Sequence, residues 1–139
     1  MESGFRMLEH TADAAIEACG EDLRQLFANA ARGLFQVITE LDDIQESVAR
    51  DISAEGADPE ALLVAWLNEF VYLFDVDHLL FRRFDIDELT ETAVAGRAFG
   101  EPLDPRRHEI KTSVKSTTYH GLAIASDGDG YRARVIFDV

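Results

Sequence analysis

The chain has 139 residues, 47% of them hydrophobic, a length and apolar share that suit one domain with a sizeable core. No run approaches the ~18 consecutive apolar residues of a membrane span. Its 27 acidic residues outnumber 13 basic ones for a net charge of −14, which disfavours sequence-independent contact with RNA or DNA backbone, because that contact runs on Lys and Arg replacing condensed counterions.

Phe5 to Leu8 and Ala14 to Cys19 read as two short strands, the second with Ala14, Ile16 and Ala18 on one face and Glu17 on the other. Asp22-Leu23-Arg24-Gln25 has the form of a capping box. Leu23, Leu26, Phe27, Ala30, Leu34, Val37 and Ile38 follow at helical spacing, predicting an amphipathic helix that ends near Thr39. After an acidic connection over Leu41 to Gln45, Ser47 to Ser53 reads as a strand. Asp58-Pro59 then starts a second helix, with Asp58 as N-cap and Pro59 where a missing N–H costs nothing. Its wide apolar stripe, from Leu62 through Trp66 and Phe70 to Phe74, predicts the centre of the core. From Leu79 the period changes to that of strands, with a turn near Glu88 to Glu91 and a further strand from Thr92 to Phe99. Pro102 and Pro105 bracket a loop through His108. Val114 to Ala125 and Tyr131 to Val139 read as the last two strands, joined by the hairpin signal Asp127-Gly128-Asp129-Gly130. Two amphipathic helices among about seven strands joined by hairpins predict an α+β fold with a largely antiparallel sheet, one compact domain over residues 1–139.

Few residues offer chemistry. Cys19 is the one cysteine; it excludes an intramolecular disulfide and suits a reducing compartment, and with no base adjacent it reads as a small buried residue rather than a nucleophile. Met1 to Arg6 lacks a basic and then apolar leader pattern, so the cytoplasm is the expected compartment. Aligning Gly130 with the glycine of a calcium loop leaves Ala125 and Ile136 at ligand positions, so the Asp-Gly repeat reads as turn chemistry. No P-loop, G-x-S-x-G, G-x-G-x-x-G or H-E-x-x-H occurs. His10, His78, His108 and His120 lack zinc-finger spacing and read as hydrogen-bonded residues at strand ends. Residues His108 to His120 hold both lysines, Lys111 and Lys115, among hydroxyls and Tyr119, a composition that suits phosphate or an acidic partner as well as a solvated loop.

Leu8-Glu9-His10-Thr11-Ala12-Asp13 sets a carboxylate beside a histidine and a hydroxyl. If the fold brings Asp13 to Asp138 and the Val139 carboxylate, their repulsion would be relieved by a proton or a cation: two carboxylates ~4 Å apart repel by about 4 kcal/mol at an effective dielectric near 20. Oxygen ligands select calcium or magnesium over zinc. A solvated Asp138 on a terminal strand is the plain alternative.

Taken together, Leu8 to Asp13, Trp66-Leu67-Asn68-Glu69-Phe70 with Tyr72-Leu73-Phe74, Gly100-Glu101-Pro102 leading to His108, Val114-Lys115 through Thr118-Tyr119-His120, and Val135 to Val139 resemble archease, in order and over nearly the whole chain. The resemblance implies a non-catalytic protein cofactor of the RtcB-type tRNA-splicing RNA ligase. That ligase joins 2′,3′-cyclic phosphate and 5′-hydroxyl ends using GTP and a metal, and archease promotes its guanylylation and multiple turnover. The family is also similar to proteins proposed as chaperones of RNA-modifying enzymes. It implies a divalent metal, calcium first and magnesium second, held by the positions that match Asp13, Asp138 and Val139. Ser113 stands where the family leads one to expect glutamate, Lys111 where glycine is common and Ser116 where alanine is common. Two rival functions remain: a metal-dependent phosphoryl or nucleotide hydrolase using the same carboxylates, and a phosphate- or RNA-binding module using Lys111, Lys115 and Tyr119.

Excess acid with only two lysines also matches proteins of salt-loving organisms, whose surface repulsion is relieved by screening. The melting temperature is expected to rise from dilute buffer to molar KCl, which thermal denaturation in the two media checks.

Overall fold

The cap residues named in the sequence act at the first turns of both helices. The computed structural model describes residues 3–8 and 14–139. Helix α1 spans Leu23–Ile38, and the Asp22 carboxylate accepts from Gln25 N–H at 2.8 Å. Gln25 reaches back one residue further than a capping box requires, its Oε1 accepting from Glu21 N–H at 3.0 Å. Helix α2 spans Pro59–Asp77; Asp58 accepts from Ala61 N–H at 2.7 Å, and Pro59 occupies the first turn. It ends at His78, which adopts φ 55° and donates its N–H to Phe74 O.

Among the described residues eight strands make two antiparallel sheets. Strands β1 (Gly4–Leu8), β2 (Ala14–Gly20), β6 (Ser116–Thr118), β7 (Ile124–Asp127) and β8 (Gly130–Asp138) form the first, in the order β1-β2-β8-β6 with β7 further along the same edge of β8. Strands β3 (Val48–Glu55), β4 (Leu79–Leu89) and β5 (Ala93–Pro102) form the second, with β5 in the middle. The α+β, antiparallel expectation holds. The strand predicted over Val114 to Ala125 is two short strands separated by a turn in which Leu122 N–H donates to Tyr119 O. At the last hairpin only Gly128 and Asp129 separate Asp127 from its partner Gly130, and Gly128 has φ 64°; a positive φ at the first central residue alone is the II′ pattern, which matches strand twist.

Helix α1 packs on β1, β2 and β8 of the first sheet and on β4 of the second, while α2 packs on the second sheet and reaches β6 of the first. One core cluster therefore runs through both sheets and both helices. Within it Phe35 of α1, Trp66 and Phe70 of α2 and Phe81 and Phe84 of β4 meet, with Trp66 and Phe70 edge to face at 4.8 Å and Phe70 and Phe84 at 5.0 Å. Phe81 and Phe84 are three residues apart, which simple alternation would put on opposite faces. A register shift between Phe81 and Arg83 corrects this, pairing Phe81 with Gly100 and Phe84 with Ala98 on the same face of β5. A Cβ on Gly100 would overlap the Leu80 carbonyl oxygen, so β4 and β5 close there only around glycine. Gly100→Ala should destabilise the fold by about 3 kcal/mol, against about 1 kcal/mol for removing the α2 cap with Asp58→Ala; urea denaturation of the two variants measures both.

Candidate functional site

Asp13 and His10 lie outside the described residues. Their chain neighbours define one end of the first sheet: Leu8 pairs with Ala15, and Ala14 pairs with Phe137, the residue before Asp138. On the other side of β8, Asp138 pairs with Ser116, and its backbone carbonyl accepts from Lys115 N–H at 2.8 Å. The Asp138 side chain is exposed, and among the described residues it has no ion-pair partner. Val139 is 37% exposed. A carboxylate at a strand end suits a hard cation in donor type, though no group of three or more His, Cys, Asp or Glu among the described residues could hold one.

Beside this end, α2 and residues 113–116 enclose an open groove of about 520 Å³ lined by Asn68, Val71, Tyr72, Phe74, Asp75 and Ser113 to Ser116. Asn68 fixes its wall, its Oδ1 accepting from Thr117 N–H at 2.7 Å. The lysine-bearing segment that sequence reading singled out is thus divided in its duties. Lys111 is held at the end of α1, its N–H on Ile38 O and its ammonium 3.1 Å from Glu40. Gln36 and then Lys111 hold the Glu40 carboxyl below its usual range. Lys115, Tyr119 and His120 are exposed. Cys19 is buried, as expected of a structural thiol.

His108, read as a hydrogen-bonded residue, is completely enclosed at its ring. Asp104 N–H donates to Nδ1 at 2.9 Å, so the proton sits on Nε2, which points to Glu101 at 3.0 Å and the Asp43 carbonyl at 3.1 Å. Glu101, also buried, accepts from Gln45 N–H at 2.6 Å and from both terminal nitrogens of Arg107. This network ties the loop after β5 to the 3-10 turn at Leu41–Asp43. The His108 ring presents no exposed atom at which a reactant could be met, so the histidine has a structural role. Sequence reading missed the pairing of Glu101 with His108, although the Asp104-Pro105 turn, closed by Arg107 N–H on Asp104 O at 2.9 Å, was a signal for it.

A second unforeseen cluster lies on the face of the first sheet opposite α1. Glu17 accepts there from Arg6 Nε at 3.0 Å and from Arg132 Nη1, and Arg132 also pairs with Asp127 at 2.8 Å. A cavity of about 220 Å³ adjoins it. Burial alone would raise the Glu17 carboxyl, but hydrogen bonds from Arg6 and Arg132 outweigh it and the net shift is downward.

Burial likewise acts to raise the Glu101 carboxyl, and Arg107, Gln45 N–H and His108 together bring it below its ordinary value of 4.5. A depressed folded-state value means that the network's contribution is complete above the unfolded carboxyl's range and is lost as pH falls through the folded one. Glu101→Gln should therefore lower stability at neutral pH and flatten the acid limb of the stability curve, as denaturant melts across a pH series would record.

Residues 5–139 match the family described as the Archease protein family (MTH1598/TM1083). The archease of Methanosarcina barkeri is 37% identical over 139 residues, covering 97% of this chain and 95% of that protein. The archease of Pyrococcus furiosus is 38% identical over 135 residues, covering 94% and 95%. The solution structure of protein 1598 of Methanobacterium thermoautotrophicum superposes with a TM-score of 0.83 at 34% identity, covering 98% of this chain and 99% of that one. The crystal structure of a Thermotoga maritima archease, described as a possible chaperone, shares the fold with a TM-score of 0.62 at 24% identity, covering 95% and 94%. The sequence match over nearly the full length and the shared two-sheet fold lead to one conclusion: this chain belongs to the archease family.

Proposed function

We propose that the protein is a non-catalytic activator of an RtcB-type tRNA-splicing RNA ligase, acting in the cytoplasm by transient docking that promotes ligase guanylylation and multiple turnover. Family membership supports an accessory role, and the possible chaperone function attributed to the Thermotoga maritima relative is of the same kind. The observation that carries the reading is the pairing of Ala14 with Phe137, because it joins the chain directly after Asp13 to the chain directly before Asp138. Asp13, Asp138 and Val139 would then form an all-oxygen site for calcium or magnesium. A bound divalent ion would supply positive charge beside which a nucleotide phosphate of the ligase could be ordered.

The charge supports the same direction of partnership. A body at −14 is drawn to a basic, RNA-binding enzyme rather than to RNA itself. His108 is enclosed and Cys19 is buried, so neither is presented to a substrate as a base or a nucleophile.

Asp13→Ala is expected to abolish stimulation of multiple-turnover ligation by the cognate ligase while leaving the circular dichroism spectrum and melting temperature unchanged. Full stimulation by that variant would remove the carboxylate site from the mechanism. The protein alone, given GTP and a divalent metal, should yield no hydrolysis product; steady release of GDP or GMP would favour the hydrolase reading instead.

A further inference from the structure

The C-terminal half of α2 leaves apolar side chains without cover among the described residues. Tyr72 is 59% exposed and Val76 52% exposed, and at i and i+4 they are neighbours on one helix face. Leu73 and Phe74 beside them are only half-buried. Helices of a soluble domain normally turn such residues inward, and α2 does so along its first three turns, where Leu62, Leu63, Trp66 and Leu67 are fully enclosed. The exposed stretch continues into the groove of about 520 Å³ between α2 and residues 113–116.

The charges around it select the occupant. Over its 19 residues α2 has no Lys or Arg, and Glu69, Asp75 and Asp77 are exposed about Tyr72 and Val76. Lys115 is the single base on the groove wall. An acidic rim around a tyrosine and an aliphatic side chain repels nucleic acid, and it also repels a second copy of this chain, which is itself at −14. It attracts arginines, which pair with carboxylates and lie over tyrosine rings, and Tyr and Arg are, with Trp, the residues enriched among those that dominate binding at protein interfaces. We propose that this half of α2, with the groove beside it, is the docking surface for a basic protein partner that presents arginines flanking an apolar anchor.

The proposal deepens the preceding section and rests on it for the partner's identity as the ligase, although not for the partner's chemistry. The groove wall is the strand edge next to Asp138: Ser116 pairs with Asp138, and Lys115 N–H donates to its carbonyl. A partner seated on α2 would therefore lie alongside the candidate carboxylate site.

The test compares wild type, Tyr72→Ala/Val76→Ala and Asp13→Ala, first for calorimetric binding to the cognate ligase in dilute and in molar salt. A second arm uses amide-shift mapping with a synthetic amphipathic peptide of arginine and leucine. Both α2 side chains are solvent-facing, and circular dichroism verifies that the variants fold. Expected are binding by wild type that weakens with salt, at least about tenfold weaker binding by the double variant, and wild-type affinity but no stimulation for Asp13→Ala. Equal ligase affinity for wild type and the double variant overturns the docking surface while leaving the activator role standing. If wild type does not bind the ligase, the activator reading fails and the peptide decides. Shifts centred on Tyr72, Val76 and residues 113–116, lost in the double variant, then uphold the surface; shifts elsewhere, or none, overturn it.

Discussion

The contact on which the rest of this fold depends is the meeting of five aromatic rings between the helices and the second sheet. Phe35, Trp66, Phe70, Phe81 and Phe84 come from α1, α2 and β4, and Phe70 touches each of the other four. Edge-to-face pairs of this kind add about 0.5–1.5 kcal/mol each beyond the area they bury. Their larger effect is geometric, because the rings fix the distance and angle between the helices and β4 at once. Trp66 adds a polar tie, donating its indole N–H to the Phe27 carbonyl of α1 at 3.2 Å. The first sheet attaches to this unit chiefly through the other side of α1, where Ile16, Val135 and Phe137 are fully buried. The position of the C-terminal strand end, and with it Asp138, thus follows from how α1 is held against the rings.

Much of the architecture was legible because its signals are local. Asp22 and Asp58 cap as their positions in the sequence suggest, and Asp127 to Gly130 forms the hairpin turn the sequence signals, with Gly128 at its first central position. Two features were hidden for physical reasons. The bulge near Arg82 breaks the period of two and puts Phe81 and Phe84 on one face, and before it Leu79, Leu80 and Phe81 are buried in succession on both faces, so a reading based on alternation cannot assign them. The division of the strands into two sheets depends on pairings between distant segments, such as β2 with β8, which carry no mark in either segment alone.

The site was legible in a different way. Composition and spacing drew attention to Asp13 and Asp138 but gave no reason for them to meet; the ordered resemblance across the chain supplied the candidate ligands, and the β2–β8 register brings their neighbours together. Glu101 and His108 illustrate the opposite case. A histidine near a glutamate and two arginines can be mistaken for chemistry in a sequence, yet here every ring nitrogen is occupied and the ring is shut off from solvent. Buried polar groups that satisfy one another in this way specify the loop's position, since leaving any one of them unpaired would carry a desolvation penalty.

The central place of β8 in the first sheet also bears on how the molecule is made. Glu17 and Arg132 touch across 115 residues of chain, and β8 pairs on one side with a strand from the start of the chain and on the other with strands just before it. During synthesis the β1–β2 hairpin leaves the ribosome long before its partner strand exists, with one edge unpaired and only α1 available to cover its apolar face. Because long-range pairing is slow relative to local helix formation, the second sheet and both helices can assemble first, and the end of the molecule that carries Asp138 acquires its shape last.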